Sequence, residues 1–78
     1  MDAYRIIKRL SSSSRTTLKD IALKVGLSPQ GLHKALHNSI SFNQMNDAIE
    51  ACGYVLLIGK LEGGKITNVK RAESYSEP

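Results

Sequence analysis

The stretch TLKDIALKVGLSPQGLHKAL, residues 17–36, has the residue pattern of two short helices joined by a tight turn. Ala22 is small enough to lie where the two helices cross, and Gly26, four residues later, accepts the positive φ that ends a helix. Ser28 can cap the second helix with its hydroxyl oxygen, and the ring of Pro29 presets φ for the first turn. The same pattern predicts an apolar seam formed by Ile21, Val25, Leu27, Leu32 and Leu36.

The polar residues Gln30, His33 and Lys34 are left on the outer face of the second of these helices. The segment resembles the DNA-binding domains of the Cro and phage lambda repressor type, a large family of small bacterial and phage helix-turn-helix regulators. The family's hallmark is an Ala and a Gly four residues apart, a small polar residue that opens the recognition helix and an apolar residue at its centre. The resemblance covers roughly residues 3–58, and its hallmark positions are Ala22, Gly26, Ser28 and Leu32.

Two positions depart from the pattern of that family. Many members have Gln at the start of the second helix, where this chain has Thr17 and Leu18, so one phosphate or base contact of the family is changed. Gly31 lies inside the expected recognition helix, and an interior Gly costs about 1 kcal/mol relative to Ala. We therefore expect this recognition helix to be less rigid than one built only from helix-forming residues.

The composition excludes several classes of protein. The chain has 78 residues, of which 41% are hydrophobic, and a single cysteine, Cys52. This length predicts one domain with a modest core. No apolar run approaches the ~18 residues of a membrane span, and the N-terminus lacks the apolar segment of a signal peptide. Because one cysteine cannot form an internal disulfide, a reducing cytoplasm is the expected location.

The net charge of +4 is unevenly distributed along the chain. Between residues 3 and 45 there is one acidic residue, Asp20, against seven basic ones. The basic residues are Arg5, Lys8, Arg9, Arg15, Lys19, Lys24 and Lys34. Such a distribution is typical of a surface that faces phosphates. The alternative is that these lysines and arginines only keep a small protein soluble.

The sequence predicts a further helix before this motif. It runs from its cap, Asp2, to about Ser12, with Ile6, Ile7 and Leu10 facing inward. The serine run at 11–14 is expected to end the helix as a flexible polar connection, with a phosphate-binding loop as the alternative. The two helices of the motif are predicted over residues 18–25 and 29–37.

Another helix is predicted after the motif. Asn38 is expected to adopt the left-handed conformation of the turn that follows the recognition helix in many family members. Residues 41–44 have the sequence of a capping box, which predicts a fourth helix that Gly53 ends. Phe42 and Met45 are expected to pack in the core.

From Tyr54 the pattern becomes that of β-strands. Residues 54–61 are a continuous β-prone run, 62–65 a tight turn and 65–70 a second strand, so a hairpin is predicted. Five apolar residues in a row imply burial on both faces, which an isolated hairpin does not give. We expect strand pairing across a dimer interface, and the alternative is that the hairpin folds back on its own helices. The expected interface residues are Tyr54, Val55, Leu56, Leu57 and Ile58.

The predicted fold class is mainly α: a lambda-repressor-like helix-turn-helix domain of four or five helices with a C-terminal β-hairpin. Residues 1–53 form the expected DNA-binding domain and residues 54–70 the hairpin used for dimerisation. Residues 71–78 are polar and are expected to be disordered.

The resemblance implies roles for the side chains at matching positions. In the major groove, Gln30 can pair with adenine N6 and N7, and Lys34 with guanine O6 and N7. The residues expected to contact bases are Gln30, Lys34, His33 and Ser28. Phosphate contacts are expected where helix N-termini present free backbone donors and at nearby polar side chains. The residues expected to bind phosphates are Arg15, Thr17, Lys19, His37, Asn38 and Asn43.

We therefore predict a dimeric transcriptional repressor that binds an inverted repeat in double-stranded DNA, with an antitoxin as one form of this function. The alternative is a phage or mobile-element protein that uses the helix-turn-helix scaffold to bind and inhibit another protein. His33 and His37 have a spacing that can bind a metal, but a zinc site needs further ligands, so no metal is expected. No paired-carboxylate, phosphate-loop or nucleophile motif is present, so neither an enzyme nor a cofactor is expected.

Overall fold

The computed structural model describes residues 2–72. Four α-helices, α1 (Ala3–Ser14), α2 (Leu18–Val25), α3 (Pro29–His37) and α4 (Phe42–Ala51), precede two antiparallel strands, β1 (Leu57–Glu62) and β2 (Lys65–Arg71). The prediction of a mainly helical chain with a C-terminal hairpin is confirmed. A fifth helix does not occur in residues 2–72.

Each helix begins at a side chain that caps its free backbone amides. Asp2, Thr17 and Ser28 accept hydrogen bonds from the amides three residues later, at 3.2, 3.1 and 3.0 Å. Ser41 accepts from the amide of Gln44 at 3.1 Å, and the Gln44 side chain accepts from the Ser41 amide at 3.4 Å. The predicted caps Asp2 and Ser28 and the predicted capping box of α4 are confirmed.

The turn between α2 and α3 has the predicted geometry. Gly26 has φ of +86°, and its amide and that of Leu27 each donate to the carbonyl of Ala22 at 2.9 Å. These bonds satisfy a carbonyl at the end of α2 and reverse the chain within three residues. Pro29 then occupies the first turn of α3, where its missing amide proton is not needed.

The prediction for the serine run was wrong. Residues 11–14 are the last turn of α1, and the left-handed residue that ends the helix is Arg15, with φ of +58°. Ser14 Oγ donates to the carbonyl of Leu10 at 2.8 Å, and Ser11 Oγ donates to the carbonyl of Thr16. The serine hydroxyls therefore bond to the backbone at the helix end and do not form a flexible connection.

The expectation for Asn38 was also wrong. Asn38 has φ of −105° and ψ of −69°, a right-handed conformation. Its amide donates to the carbonyl of Lys34 at 3.0 Å, which continues the bonding pattern of α3 by one residue. Since this bond satisfies the helix end, no left-handed residue is required there.

One core holds the four helices together. Its buried members are Ile7, Ile21, Ala22, Leu32, Leu36, Ala48, Ile49 and Cys52, and Val25, Leu27 and Met45 pack against them. The predicted seam between α2 and α3 is therefore confirmed. Phe42 is 44% exposed, so its expected core position was wrong. It is the first residue of α4, where the helix has not yet entered the core.

The hairpin has two chemically different faces. Leu61 lies opposite Ile66, and Lys60 lies opposite Thr67, so the two pairs lie on different faces because side chains alternate along a strand. A β-bulge follows, and a Cβ at Gly59 would collide with the Ile66 side chain and lie close to that of Val69. Alternation and these contacts define an apolar hairpin face consisting of Leu57, Leu61, Ile66 and Val69.

In the single chain, the five-residue apolar run is not buried on both faces. Leu56 packs against the core, but Tyr54, Val55, Leu57 and Ile58 are between 38% and 51% exposed. The strand also begins at Leu57 and not at Tyr54. Because the sheet has only two strands and no helix of residues 2–72 covers it, the apolar hairpin face meets solvent in the single chain.

The alternative in which the hairpin folds on its own helices holds only for its base. The Ala72 amide donates to the Leu56 carbonyl at 2.7 Å, and Arg71 forms an ion pair with Glu50 of α4. Arg71 is the last residue of β2 and Ala72 is buried, so the expected disorder does not apply to these two residues. The remainder of the expected tail lies outside the described residues.

We expect Gly26→Ala to lower the free energy of unfolding by about 1 to 2 kcal/mol, measured by urea denaturation. A Cβ at this position meets nothing within 4 Å, so the cost arises from the left-handed backbone alone. Gly26→Asn is the matched variant, because Asn tolerates this conformation better than Ala. A loss for Ala no larger than that for Asn would contradict this explanation.

Candidate nucleic-acid interface

The outer face of α3 presents a stripe of polar side chains. Gln30, His33, Lys34 and His37 are all exposed, whereas Leu32 and Leu36 on the opposite side are buried in the core. A period of 3.6 residues places positions 30, 33, 34 and 37 along one side of a helix. The local sequence therefore fixes which side chains α3 can offer to a partner.

Two of the predicted base-contacting residues are free to bind. The side chains of Gln30 and Lys34 form no hydrogen bond or ion pair within residues 2–72. Ser28 differs, because its Oγ already accepts from the amide of Gly31 and caps the helix. Its hydroxyl proton remains available as a donor.

His33 and His37 pack with an aromatic residue that sequence reasoning missed. Tyr4 of α1 stacks on the His37 ring, with centroids 4.2 Å apart and planes at 26°, and meets His33 edge-on at 5.2 Å. The two imidazole rings are 4.5 Å apart. Lys8 Nζ donates to the Tyr4 hydroxyl at 3.3 Å. The four-residue spacing of the histidines was the signal for a shared contact, but it could not identify the partner on α1.

The residues expected to bind phosphates are exposed at two places. Arg15, Thr17 and Lys19 lie together where α2 begins, and Thr17 Oγ1 caps that helix. Asn38 lies at the end of α3 and Asn43 in the first turn of α4, both exposed. His37 differs from the others, because its ring is stacked on Tyr4.

Within residues 2–72, the basic residues between positions 3 and 45 form no ion pair with an acidic side chain. The ion pairs in residues 2–72 join Lys60 to Glu62 and Arg71 to Glu50, both outside that segment. None of these seven basic side chains is therefore in an ion pair within the described chain. A surface of this kind attracts anions at a distance.

Other chemistry has little support in the described part of the chain. No group of three or more His, Cys, Asp or Glu residues could hold a metal ion there. Cys52 is a buried core residue, and burial raises the pKa of its thiol against a smaller lowering by a hydrogen bond with Ser14. A neutral, buried thiol is a poor nucleophile. No helix in residues 2–72 has the length and apolar character that crossing a bilayer requires.

No protein-family model, no curated protein and no solved structure matches this chain.

We expect Cys52 to react slowly with Ellman's reagent in the native protein at about pH 8, and rapidly after unfolding in urea. The physical reason is that burial both shields the sulfur and disfavours the thiolate. Because the pKa of this thiol is higher in the folded than in the unfolded protein, its full contribution to the free energy of unfolding is present below the unfolded-state pKa. That contribution is lost as the pH rises through the folded-state pKa. Equal labelling rates before and after unfolding would show that Cys52 is not a core residue.

Proposed function

We propose that this protein is a sequence-specific DNA-binding regulator that inserts α3 into the major groove. The observation that carries the proposal is the polar stripe of α3, with Gln30 and Lys34 exposed and unbonded on a helix whose other side is fixed in the core. A single helix fits the major groove, and side chains on its first two turns reach base edges. The excess of unneutralised cations around it supports a phosphate-bearing partner.

The arrangement of α2 and α3 supports a helix-turn-helix domain of the lambda repressor type. Ala22 is fully buried in the core, and Gly26 makes the left-handed turn that this motif needs. Within this proposal, Gln30 contacts adenine and Lys34 contacts guanine. Ser28 and His33 provide further contacts to bases, His33 from a position next to Lys34.

Phosphate binding is proposed for the polar groups that flank α3. Arg15, Thr17 and Lys19 lie at the N-terminal, electropositive end of α2, where backbone amides and side chains can hold one phosphate together. Asn43 occupies the corresponding position in the first turn of α4. At the C-terminal end of α3, His37 and Asn38 are proposed to contact phosphates of the DNA backbone.

We propose that the regulator acts as a homodimer in the cytoplasm and represses by occupying an inverted repeat. The apolar hairpin face supports this part, because Leu61 and Ile66 are 74% and 71% exposed and a monomer leaves them in water. Of the expected interface residues, Leu57 belongs to this face, and Tyr54 and Val55 precede it along the chain. Ile58 pairs with Lys70 on the other face of the hairpin. To bind an inverted repeat with half-sites one DNA turn apart, the two recognition helices of such a dimer have to lie about 34 Å apart.

The exposed apolar hairpin face also favours a second candidate function, in which the scaffold binds a different protein. An antitoxin combines both functions, whereas an inhibitor of another protein uses the hairpin without DNA. Selection of duplexes from a randomised library separates these functions. The repressor and the antitoxin enrich a palindrome and bind it in a salt-sensitive manner, and an inhibitor enriches no sequence.

We expect Gln30→Ala and Lys34→Ala each to weaken binding to the selected palindrome by about 1 to 3 kcal/mol. Each should also relax base preference at one position per half-site, because one bidentate contact to a base edge is lost. Competition binding with single-base variants of the site measures both effects.

Lys24→Ala is the matched control for charge, since Lys24 is exposed near the end of α2 and lies outside the α3 stripe. It should leave base preference unchanged. An unchanged preference at every position in the Gln30 and Lys34 variants would remove these residues from base recognition.

We expect light scattering to show a dimer that Ile66→Lys converts to a monomer. Losing the burial of this side chain costs about 1.5 to 3 kcal/mol per chain and therefore about 3 to 6 kcal/mol per dimer, which raises the dimer dissociation constant about a hundredfold or more. Thr67→Lys is the matched control, because it adds the same charge one residue away on the other face. Wild-type protein that remains monomeric at concentrations where it protects the palindrome would contradict the dimer.

A further inference from the structure

The outer face of α1 is a shallow depression lined by cationic side chains. Its lining residues are Asp2, Tyr4, Arg5, Lys8, Arg9 and Ser12. The one carboxylate, Asp2, already accepts a hydrogen bond from the Arg5 amide at 3.2 Å as the cap of α1. No acidic side chain of residues 2–72 pairs with Arg5, Lys8 or Arg9. We call Arg5, Lys8 and Arg9 the α1 cationic face.

This arrangement is unfavourable for α1 itself. Arg5 lies in the first turn, where the helix dipole disfavours a positive charge, and that turn of α1 contains no acidic residue. Arg5 is three residues from Lys8 and four from Arg9, so like charges share one side of the helix and repel each other. A partner that supplies negative charge would relieve this repulsion.

The α1 cationic face is continuous with the polar stripe of α3. Tyr4 connects them, since its ring packs on His33 and His37 while its hydroxyl accepts from Lys8. Lys8 therefore lies beside the polar stripe, on the same surface, and a ligand bound along the outer side of α3 can also contact Lys8. Double-stranded DNA fits this surface, because its sugar–phosphate backbone borders the groove that a recognition helix enters.

We propose that the α1 cationic face binds the sugar–phosphate backbone of the same duplex whose major groove takes α3, beside the C-terminal half of α3. This inference rests on the proposed function and extends the phosphate contacts to a helix that precedes the motif. Tyr4 is a positioning residue: it holds Lys8 and the two imidazoles in one surface and contacts no base. The contacts are to phosphates, so they act equally on any sequence.

The test compares two double variants with the same net charge. Arg5→Gln/Arg9→Gln removes two charges from the α1 cationic face, and Lys65→Gln/Lys70→Gln removes two from the polar face of the hairpin. Binding to a short random-sequence duplex is titrated between about 50 and about 200 mM salt. In the first variant the slope of log K against log[salt] should be less steep than in the wild type by about 2. Its affinity should therefore fall roughly tenfold less than that of the wild type over this range. The second should keep the wild-type slope.

A stability measurement distinguishes binding from a structural role. Because Arg5 and Arg9 repel each other on α1, their replacement should leave the urea midpoint unchanged or raise it. A lowered midpoint together with an unchanged slope would show that these residues serve the fold, and would overturn the inference.

The outcomes also separate this inference from the proposed function. If wild-type protein binds neither random nor selected duplexes, both are wrong. If it binds, and the two double variants have equal slopes, the α1 cationic face is not a phosphate contact and only this inference is overturned. A smaller slope in the Arg5/Arg9 variant alone supports it.

Discussion

The turn at Ala22 and Gly26 is the constraint on which the rest of the structure depends. One carbonyl, that of Ala22, accepts two backbone amides, and the Ala22 side chain is fully buried where α2 and α3 meet. These contacts determine the direction in which α3 leaves the turn, and therefore which side of α3 enters the core. Once Leu32 and Leu36 are buried, positions 30, 33, 34 and 37 lie on the opposite side of the helix and face outward. The polar stripe follows from the turn.

The core that this turn organises is helical only, and the hairpin is attached to it at its base. Leu56 packs on the core, and Arg71 and Ala72 hold the end of β2 to the adjoining chain. Beyond that point the strands stabilise each other by hydrogen bonds, and no further element of residues 2–72 lies over them. A two-stranded sheet in water is marginally stable, so the exposed part of the hairpin gains most from a partner that covers it.

Features that depend on contacts between residues no more than four or five positions apart could be predicted from the sequence. The caps and the left-handed turn at Gly26 depend on short-range hydrogen bonds, and the structure has them as predicted. Features decided by packing were not predictable. Asn38 could have ended α3 in either conformation, Phe42 has a core-forming side chain at an exposed helix start, and Ser14 bonds within its own helix. In the candidate site, the exposure of Gln30 and its neighbours could be predicted from helical periodicity. The packing of Tyr4 on His33 and His37 could not, because it depends on how α1 crosses α3.

Two surfaces of this small domain lack a complement within the described chain, and their chemistry is different. The α1 cationic face and the α3 stripe are complementary to an anion that can approach exposed cations, and under the proposed function this anion is the DNA phosphate. The apolar hairpin face needs another apolar surface, which a DNA duplex does not offer over a comparable area. One partner therefore cannot satisfy both. If a second copy covers the hairpin, the dimer presents two α1 cationic faces to one duplex. DNA binding then favours dimerisation, and dimerisation favours DNA binding, by mass action.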